Sequence, residues 1–263
     1  MRIARVEIDG AATYVRIEGP EAWPLPGVPF GGVGSSSGPG GPSRTLAELK
    51  LLAPVAPSKI LAVARNYRAH AAELGQVAPE EEPLFFLKAP SALLPPGGTI
   101  VIPRLPVGRE RVDYEGELAV VIGRRAKDVP LERAAEHIFG YTCLLDVTAR
   151  QVQKAQAHFT QSKGYDTFCP IGPWIETELD PRDLWVRTTV NGVRVQDGRT
   201  SEMVHPVLRL VAHLSSVMTL EPGDVIATGT PQGVGPLHPG DQVEVEIQGI
   251  GALRVSVGVS GRE

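Results

Sequence analysis

An uninterrupted apolar run follows a charged segment in the stretch Val112-Asp113-Tyr114-Glu115-Gly116-Glu117-Leu118-Ala119-Val120-Val121-Ile122. The run Leu118–Ile122 is typical of a strand that is buried on both of its faces. Short apolar segments of this kind, separated by Pro and Gly, recur along the chain without a regular alternation of strand and helix. This pattern predicts a mainly β or α+β fold rather than a doubly wound parallel sheet.

The chain before this stretch changes character twice. Residues 1–18 alternate apolar and polar positions around the turn Asp9-Gly10, which predicts a β-hairpin. Residues 19–43 are rich in Gly, Pro and Ser and cannot build a core, so they predict a linker or a surface loop. We therefore expect a small N-terminal β lobe over residues 1–53 and the main domain over residues 54–263.

Within the main domain, apolar periodicity and turn signals predict both strands and helices. An Asn191-Gly192 turn between two apolar segments predicts a hairpin over residues 184–196. The other predicted strands cover residues 59–64, 100–102, 118–122, 225–227, 242–247 and 252–257. The predicted helices cover residues 67–74, 131–138, 147–157 and 207–216.

Composition excludes several classes of protein. The net charge is −4 and no basic run stands out, which argues against nucleic-acid binding. No segment approaches the about 20 apolar residues that cross a bilayer, and charges interrupt residues 1–7, so neither a membrane span nor a signal peptide is predicted. Cys143 and Cys169 form no CxxC motif and are too few for a disulfide framework. We expect a soluble, cytoplasmic protein.

The acidic residues before the apolar run are the sharpest local feature. Asp113, Glu115 and Glu117 would share one face of a strand, and such carboxylates repel unless they are solvated, protonated or bridged by a cation. The solvent face of an edge strand is one interpretation, and a cation site at the mouth of a buried strand is the other. The adjoining apolar run favours the cation site, and oxygen ligands alone indicate Mg²⁺ or Mn²⁺ rather than Zn²⁺.

Other candidates carry weaker local signals. Asp146 follows the apolar run Tyr141–Leu145, where spacing alone favours a helix N-cap over a metal ligand. His70 and Glu73 would lie one turn apart on a helix, as a general base and its partner or, more simply, as a surface pair. The Gly- and Thr-rich segment Ala227–Gly235 could approach a ligand with its backbone, but a tight turn between buried strands is the interpretation that the segment alone favours.

Taken together, the segments from residue 58 to the C-terminus resemble the fumarylacetoacetate hydrolase superfamily. Each motif alone is weak, but the ordered set is specific. The motifs are Asn66-Tyr67 with His70 and Glu73, Pro83–Pro90, Asp113–Leu118, Asp146–Arg150, Lys163–Pro170, Gly172–Trp174, Val190–Gly192 and Thr228–Gly235. Two positions depart from the family pattern: Leu145 replaces a common Asn, and Gln151 replaces a common Asp.

The resemblance implies a mixed β-sandwich roll with a small N-terminal lobe, a homodimer, and one Mg²⁺ or Mn²⁺ per site. It implies a small oxo acid as the partner, with no nucleic acid and no membrane. Carried over to this sequence, it implies metal ligands at Glu115, Glu117 and Asp146, and an acid–base pair formed by His70 and Glu73. It also implies a charge-stabilising Lys163 and substrate contacts from Gln153, Thr230 and Arg150.

Members of this superfamily act on 2-oxo acids and their enols. The segments Glu81–Pro90 and Leu214–Leu220 look most like the isomerase and decarboxylase of homoprotocatechuate breakdown. The resemblance therefore favours 2-hydroxyhepta-2,4-diene-1,7-dioate isomerisation in aromatic catabolism, with or without the linked decarboxylation. Acylpyruvate or fumarylpyruvate hydrolysis is the alternative reaction. A non-catalytic binding or dimerisation module of the same fold is the alternative class.

Overall fold

The computed structural model describes residues 1–31, 40–156 and 158–260, so residues 32–39 of the predicted linker lie outside the described part. The strands are β1 (Arg2–Ile8), β2 (Ala11–Glu18), β3 (Glu21–Pro24), β4 (Arg44–Thr45), β5 (Lys50–Leu52), β6 (Ile60–Ala64), β7 (Leu84–Lys88), β8 (Leu93–Leu94), β9 (Thr99–Ile102), β10 (Val112–Tyr114), β11 (Gly116–Ile122), β12 (Ile138–Leu145), β13 (Thr148–Ala149), β14 (Cys169–Glu176), β15 (Trp185–Val190), β16 (Val193–Arg199), β17 (Val225–Ala227), β18 (Gly235–Pro236), β19 (Gln242–Ile247) and β20 (Gly251–Val259).

Helices are few and mostly short. The α-helices are α1 (Arg68–Glu73), α2 (Arg150–Ala155), α3 (Thr160–Lys163) and α4 (Val207–Val217). The 3₁₀ turns cover Leu46–Glu48, Pro90–Ala92, Leu131–His137, Pro181–Asp183 and Thr200–Glu202. None of the helices in the described part of the chain is long and apolar enough to cross a membrane.

Most strands belong to one large sheet. Its strand order is β4-β3-β2-β1-β14-β12-β11-β17-β6-β7, with β5 beside β1 and β8 beside β14. Most of its pairs are antiparallel, but β17 runs parallel to β6 and β8 runs parallel to β14. Since β1 pairs with β14, the N-terminal strands extend the sheet that contains the apolar run.

A second sheet packs on the first. It has the order β16-β15-β19-β20-β9, and its strands contact β11, β12 and β14 of the large sheet. A small third sheet, β13-β10-β18, lies at the charged end of β11. Two facing sheets with few helices confirm the prediction of a mainly β, α+β sandwich.

The strand β11 is buried on both faces, as its apolar run predicts. Leu118, Val120 and Ile122 pack in the core between the two large sheets. Ala119 and Val121 point to the opposite face and pack in a second apolar cluster. Because side chains alternate along a strand, Glu117 projects to the same side as Ala119 and Val121.

Most of the predicted elements are present, with two local differences. The hairpin over residues 1–18 and the hairpin around Asn191-Gly192 are confirmed as β1–β2 and β15–β16. The segment predicted as a helix over residues 131–138 forms a 3₁₀ turn. The helix predicted over residues 147–157 begins later, at Arg150, because residues 148 and 149 pair with β10 as the strand β13; residue 157 lies outside the described part.

Candidate functional site

Three buried carboxylates meet where β11 begins and β12 ends. The register of the two strands places Gly116 opposite Leu145, and the backbone amide of Asp146 donates to the carbonyl oxygen of Glu115 at 2.8 Å. One oxygen from each of Glu115, Glu117 and Asp146 lies within 4.8 Å of the others. Their exposed fractions are 4%, 2% and 2%. The strand register therefore collects the three residues that the family resemblance implies as metal ligands.

Two lysines compensate part of this negative charge. The Nζ atom of Lys163 lies 2.7 Å from Oε2 of Glu115 and 2.5 Å from Oδ2 of Asp146. Lys88 holds the other oxygen of Asp146 at 2.6 Å and also donates to the carbonyl of Lys163 at 2.7 Å. Both lysines are buried, so water does not weaken these ion pairs as it would at the surface.

Arg150 connects the cluster to Asp113. Its Nε atom donates to Oδ2 of Asp113 at 2.8 Å, and its Nη2 atom donates to Glu115. Arg111 makes a second ion pair with Asp113, with Nε 2.6 Å from Oδ1. At Glu115, between β10 and β11, the chain passes from the small third sheet into the large sheet. Asp113 is therefore an anchor for two arginines rather than a third equivalent member of the cluster.

The carboxylates differ in their local charge. Burial alone would raise the pKa of Glu115, but Lys163 and Arg150 beside it hold that pKa far below its usual value. Burial and the charge of Asp146 raise the pKa of Glu117 well above its usual value. Glu117 accepts one hydrogen bond, from the amide of Gly229 at 2.8 Å, and no Lys, Arg or His of the described chain lies within 4.0 Å of it.

This donor set fits a divalent cation. Three carboxylate oxygens in one place are the ligands that Mg²⁺ and Mn²⁺ prefer. The buried, cation-free Glu117 is the observation that calls for such an ion, since an uncompensated buried charge is strongly unfavourable.

A cavity of about 390 Å³ opens directly onto the carboxylates. Its wall combines polar and apolar side chains, as small-molecule sites commonly do. Besides the cluster, the wall includes Arg65, His70, Phe86, Gln153, Phe159 and Thr230. The cavity thus places most of the implied catalytic and substrate-binding residues around one space next to the candidate metal ligands, namely His70, Lys163, Arg150, Gln153 and Thr230.

His70 and Glu73 lie together on α1, as their spacing predicts. Nδ1 of His70 is 3.4 Å from Oε2 of Glu73, and only 5% of His70 is exposed. The amide of Gly233 donates to both oxygens of Glu73 at 3.1 and 3.2 Å, which fixes the carboxylate. His70 lines the cavity and is buried, so it does not belong to the plain surface pair that spacing alone favours, while Glu73 contacts it from outside the cavity wall.

Thr230 is positioned by Gln196, which the sequence did not indicate, and Gln153 is positioned by Arg150, which it did. Thr230 donates to the carbonyl of Gly116 at 2.9 Å and accepts from Nε2 of Gln196 at 2.8 Å. Gln153 accepts from Nη1 of Arg150 at 2.8 Å. Gln196 also accepts from the amide of Gly116 at 3.0 Å, so one buried amide side chain joins the loop after β17 to the start of β11.

Sequence reasoning missed Lys88, Arg65 and Gln196. Lys88 ends the apolar strand β7, where a lysine is ordinarily an exposed terminus. Arg65 precedes the motif residues Asn66-Tyr67 and carries no spacing signal. Gln196 lies in a hairpin strand whose other polar residues are exposed. A lysine within the family-like motif Pro83–Pro90 was the one available sign, and it indicated no role.

Comparison with known proteins identifies relatives across most of the chain. Residues 59–258 match the family model described as fumarylacetoacetate (FAA) hydrolase C-terminal, and residues 1–54 match the Rv2993c-like N-terminal model. An uncharacterised protein of Pyrococcus abyssi is 54% identical over 209 residues, which cover 77% of this chain and 91% of that protein. The mitochondrial oxaloacetate tautomerase of Arabidopsis thaliana is 44% identical over 206 residues, which cover 76% of this chain and 91% of that protein.

Solved structures match over almost the full length. The 5-carboxymethyl-2-hydroxymuconate delta-isomerase of Mycobacterium smegmatis has a TM-score of 0.89 and 46% identity, covering 99% of this chain and 100% of its own. The 2-hydroxyhepta-2,4-diene-1,7-dioate isomerase of Mycobacterium marinum has a TM-score of 0.89 and 42% identity, with 100% of both chains covered. A maleylpyruvate hydrolase of Sphingobium, solved with manganese(II) and pyruvate, has a TM-score of 0.82 and 34% identity, covering 99% of this chain and 100% of its own.

Proposed function

The chain belongs to the fumarylacetoacetate hydrolase family, and we propose that it is a divalent-metal-dependent enzyme that moves a proton on a 2-oxo acid through an enolate. The buried Glu117, which has no cation partner in the described chain, is the observation that carries this proposal. Glu115, Glu117 and Asp146 would hold Mg²⁺ or Mn²⁺, and the manganese in the related maleylpyruvate hydrolase supports that choice. The bound ion would supply Lewis acidity to the ketone and carboxylate oxygens of the substrate.

His70 is the proposed proton carrier. Its Nδ1 atom faces Glu73, which orients the ring. Nε2 makes no hydrogen bond to the described residues, so it is available to a substrate carbon in the cavity. This arrangement is typical of a general base that takes a proton from one carbon and returns it to another.

Lys163 is the proposed stabiliser of developing negative charge. Burial alone would lower its pKa, but Asp146 and Glu115 raise that pKa above its usual value, so the ammonium stays protonated. Arg150, which also stays charged between Glu115 and Asp113, holds Gln153 at the cavity wall. Gln153 and Thr230 are the proposed contacts to the oxygens of the substrate.

Isomerisation is the reaction that we favour, with 2-hydroxyhepta-2,4-diene-1,7-dioate as the first candidate substrate. Two isomerases that match over nearly the full chain, at 46% and 42% identity, support this choice. The tautomerase relative acts on oxaloacetate, and keto–enol exchange needs the same proton transfer beside a ketone. Hydrolysis of an acylpyruvate is the second candidate, which the maleylpyruvate hydrolase at 34% identity favours.

An ultraviolet assay of purified protein tests the proposal. The substrates are the dienedioate, oxaloacetate enol and an acylpyruvate, each with the chelator-treated protein and after addition of Mg²⁺ or Mn²⁺. We expect metal-dependent loss of the conjugated absorbance with isomeric products by mass spectrometry. Pyruvate formed from the acylpyruvate together with the second carboxylic acid would instead support hydrolysis, and carbon dioxide, which oxaloacetate releases as it becomes pyruvate, would support decarboxylation.

Matched histidine variants test the proton carrier. We expect His70→Gln to lose most activity while it still binds Mn²⁺, because His70 contributes no ligand to the cluster. His238→Gln is the control, since His238 lies on the surface and is 71% exposed in its side chain. A protein that never binds a divalent cation and acts on none of these substrates would support the non-catalytic module. The homodimer stays a prediction, which light scattering of the purified protein tests.

A further inference from the structure

We propose that Arg65 is a specificity-determining residue that binds a second carboxylate of the substrate, at the end opposite to the metal-binding 2-oxo group. The proposal rests on the proposed function, because it assumes that a 2-oxo acid enters the cavity beside Glu115, Glu117 and Asp146. Arg65 would select 2-oxo dicarboxylic acids over 2-oxo monocarboxylic acids of the same length.

The backbone of Arg65 is the first supporting observation. Its φ is 57°, in the left-handed region that residues with a side chain seldom occupy. Such conformations persist where the surrounding structure holds them, and they concentrate at ligand sites. Arg65 follows β6 directly and lines the cavity, while the next residues lead into α1, which carries His70.

Asn66 fixes this turn from behind. Its Oδ1 atom accepts from the amide of His205 at 2.8 Å, and its Nδ2 atom donates to the carbonyls of His205 at 3.0 Å and Thr228 at 2.8 Å. Gly229 leaves room for it, because a Cβ atom there would approach the Cβ of Asn66 to 2.8 Å. The unusual conformation of Arg65 is therefore held by a fully bonded, buried neighbour and not by a contact of the arginine itself.

The side chain of Arg65 lacks a protein partner in the described part of the chain. It makes no ion pair within 4.0 Å and no hydrogen bond there, although it is half-buried in the cavity wall. The buried cations Lys88, Lys163 and Arg150 are all occupied by the carboxylates of the cluster and by Asp113. Arg65 is thus a cation of the cavity wall that has no anionic partner in the described part of the chain.

The charge balance indicates what Arg65 binds. The buried carboxylates Glu115, Asp146 and Asp113 pair with Lys88, Lys163, Arg150 and the partly exposed Arg111, whereas Arg65 pairs with none of them. The charge of Arg65 therefore remains, and a second carboxylate on the substrate is the group that compensates it with paired hydrogen bonds.

Lys154 is the other unpaired cation of the cavity wall, but it is exposed. Water and salt screen an exposed flexible ammonium, so its contribution to binding one carboxylate is small. The half-buried and conformationally fixed Arg65 is therefore the residue to which we assign selectivity.

A pair of substrates that differ only at the distal group tests the assignment. Oxaloacetate and 2-oxobutanoate have the same chain length, with a carboxylate in one where the other has a methyl group. Proton NMR in deuterium oxide follows the enzyme-catalysed exchange of the methylene protons beside the ketone in both substrates. The enzyme is loaded with Mn²⁺ during the reaction, and the ion is removed after each reaction has been quenched. The KM is then measured for each substrate.

We expect Arg65→Asn to raise the KM for oxaloacetate by about 10- to 100-fold, as loss of a charge-assisted hydrogen bond does. The KM for 2-oxobutanoate and the inhibition constant of oxalate, which lacks a distal group, stay unchanged. Asn tolerates the left-handed conformation, so this variant keeps the fold. Arg65→Lys recovers part of the oxaloacetate affinity. The control is Arg68→Asn, because Arg68 is exposed and pairs with Glu80 outside the cavity.

Equal changes in the KM of both substrates, or no change in either, would overturn the assignment while the proposed function stands. If the metal-loaded wild-type protein exchanges neither substrate and is also inactive on the dienedioate and the acylpyruvate, the proposed function fails. Thermal shifts with Mn²⁺ still test Arg65 in that case. A stabilisation by oxaloacetate greater than by 2-oxobutanoate, and lost only in the Arg65 variants, supports the carboxylate site, whereas equal stabilisation rejects it.

Discussion

The apolar end of the β11 segment, Leu118–Ile122, and its charged end, at Glu117, are equally shielded from water but contain side chains of opposite character. Leu118 is 0% exposed and packs among apolar side chains, whereas its neighbour Glu117 is 2% exposed and lies among carboxylates. Apolar burial stabilises the first end, while the second depends on ion pairs and backbone amides. The difference shows that burial alone does not separate core from site. The strand register does, since it decides which side chains each residue meets.

The largest expected effect comes from neutralising the charged end. Glu117→Gln should reduce activity on the order of 10³-fold, because it removes one of the charges that would hold the cation. Without metal the variant should be as stable as the wild type or more so, since the pKa of Glu117 is raised by burial and its charge is unfavourable there. Thermal melts with and without Mn²⁺, together with the ultraviolet assay, measure both effects.

Glu132→Gln is the control for that variant, because Glu132 is an exposed acid in the 3₁₀ turn before β12. The control should keep both activity and the Mn²⁺ thermal shift. Full activity in Glu117→Gln would remove this residue from the proposed ligands, and a large loss of stability without metal would contradict the charge argument.

Breaking one buried ion pair at the charged end should lower the stability of the protein. Lys88→Met leaves Oδ1 of Asp146 without its ammonium partner, which should lower the free energy of unfolding by about 3–5 kcal/mol. Because an added cation would replace the lost charge, Mn²⁺ should raise the melting temperature more in this variant than in the wild type. The comparison is made by calorimetry on metal-free and Mn²⁺-loaded samples.

Lys127→Met provides the matched control, as Lys127 pairs with Asp128 at the surface with 42% of its side chain exposed. It should leave both the stability and the Mn²⁺ shift unchanged. If Mn²⁺ raised the melting temperature equally in Lys88→Met and in the wild type, Lys88 and the metal ion would not compensate the same negative charge.

The apolar end should respond in the opposite way. Leu118→Ala should lower the free energy of unfolding by about 2–5 kcal/mol, because it leaves a cavity between two packed sheets. The affinity for Mn²⁺, corrected for any unfolded fraction, should stay the same. Denaturant unfolding and isothermal titration calorimetry measure the two quantities. A variant that loses metal affinity while it remains folded would show that the two ends are coupled.

The smallest expected effect concerns a polar atom on the apolar side. Thr142 lies opposite Ala119 in the β11–β12 pair, and its buried hydroxyl finds no hydrogen-bond partner in the described part of the chain. Thr142→Val keeps the shape and should raise the free energy of unfolding by about 1 kcal/mol. Denaturant unfolding at an unchanged slope measures it. A decrease would indicate that an ordered water satisfies the hydroxyl.

Local patterns in the sequence predicted the elements but not all of their neighbours. The apolar run Leu118–Ile122 and the Asn191-Gly192 hairpin follow from periodicity and turn chemistry, which act over a few residues. The helical spacing of His70 and Glu73 likewise predicts their contact. A 3₁₀ turn appears where a helix was expected at residues 131–138, because tertiary packing overrides the local helix propensity.

The rest of the site depends on contacts between distant segments. Spacing alone favoured Asp146 as a helix N-cap, but α2 begins at Arg150 with Ala149 as its N-cap, and Asp146 instead binds two lysines. Spacing also grouped Asp113 with Glu115, although the chain passes into another sheet between them. Only the family resemblance brought Asp146 and Lys163 to the cluster, since a contact across strands leaves no local trace.

The parallel pairing of β17 with β6 has a consequence for how the protein forms. Lys59 and Asp224, at the start of these strands, form an ion pair across 165 positions of the chain. Contacts of such long range are slow to form, because a large loop must close before they stabilise anything. During synthesis the three carboxylates therefore leave the ribosome long before Gly229 and Thr230 arrive to complete their surroundings. We therefore expect the site to form in the last step of folding, so that binding of a metal ion would indicate that the large sheet is complete.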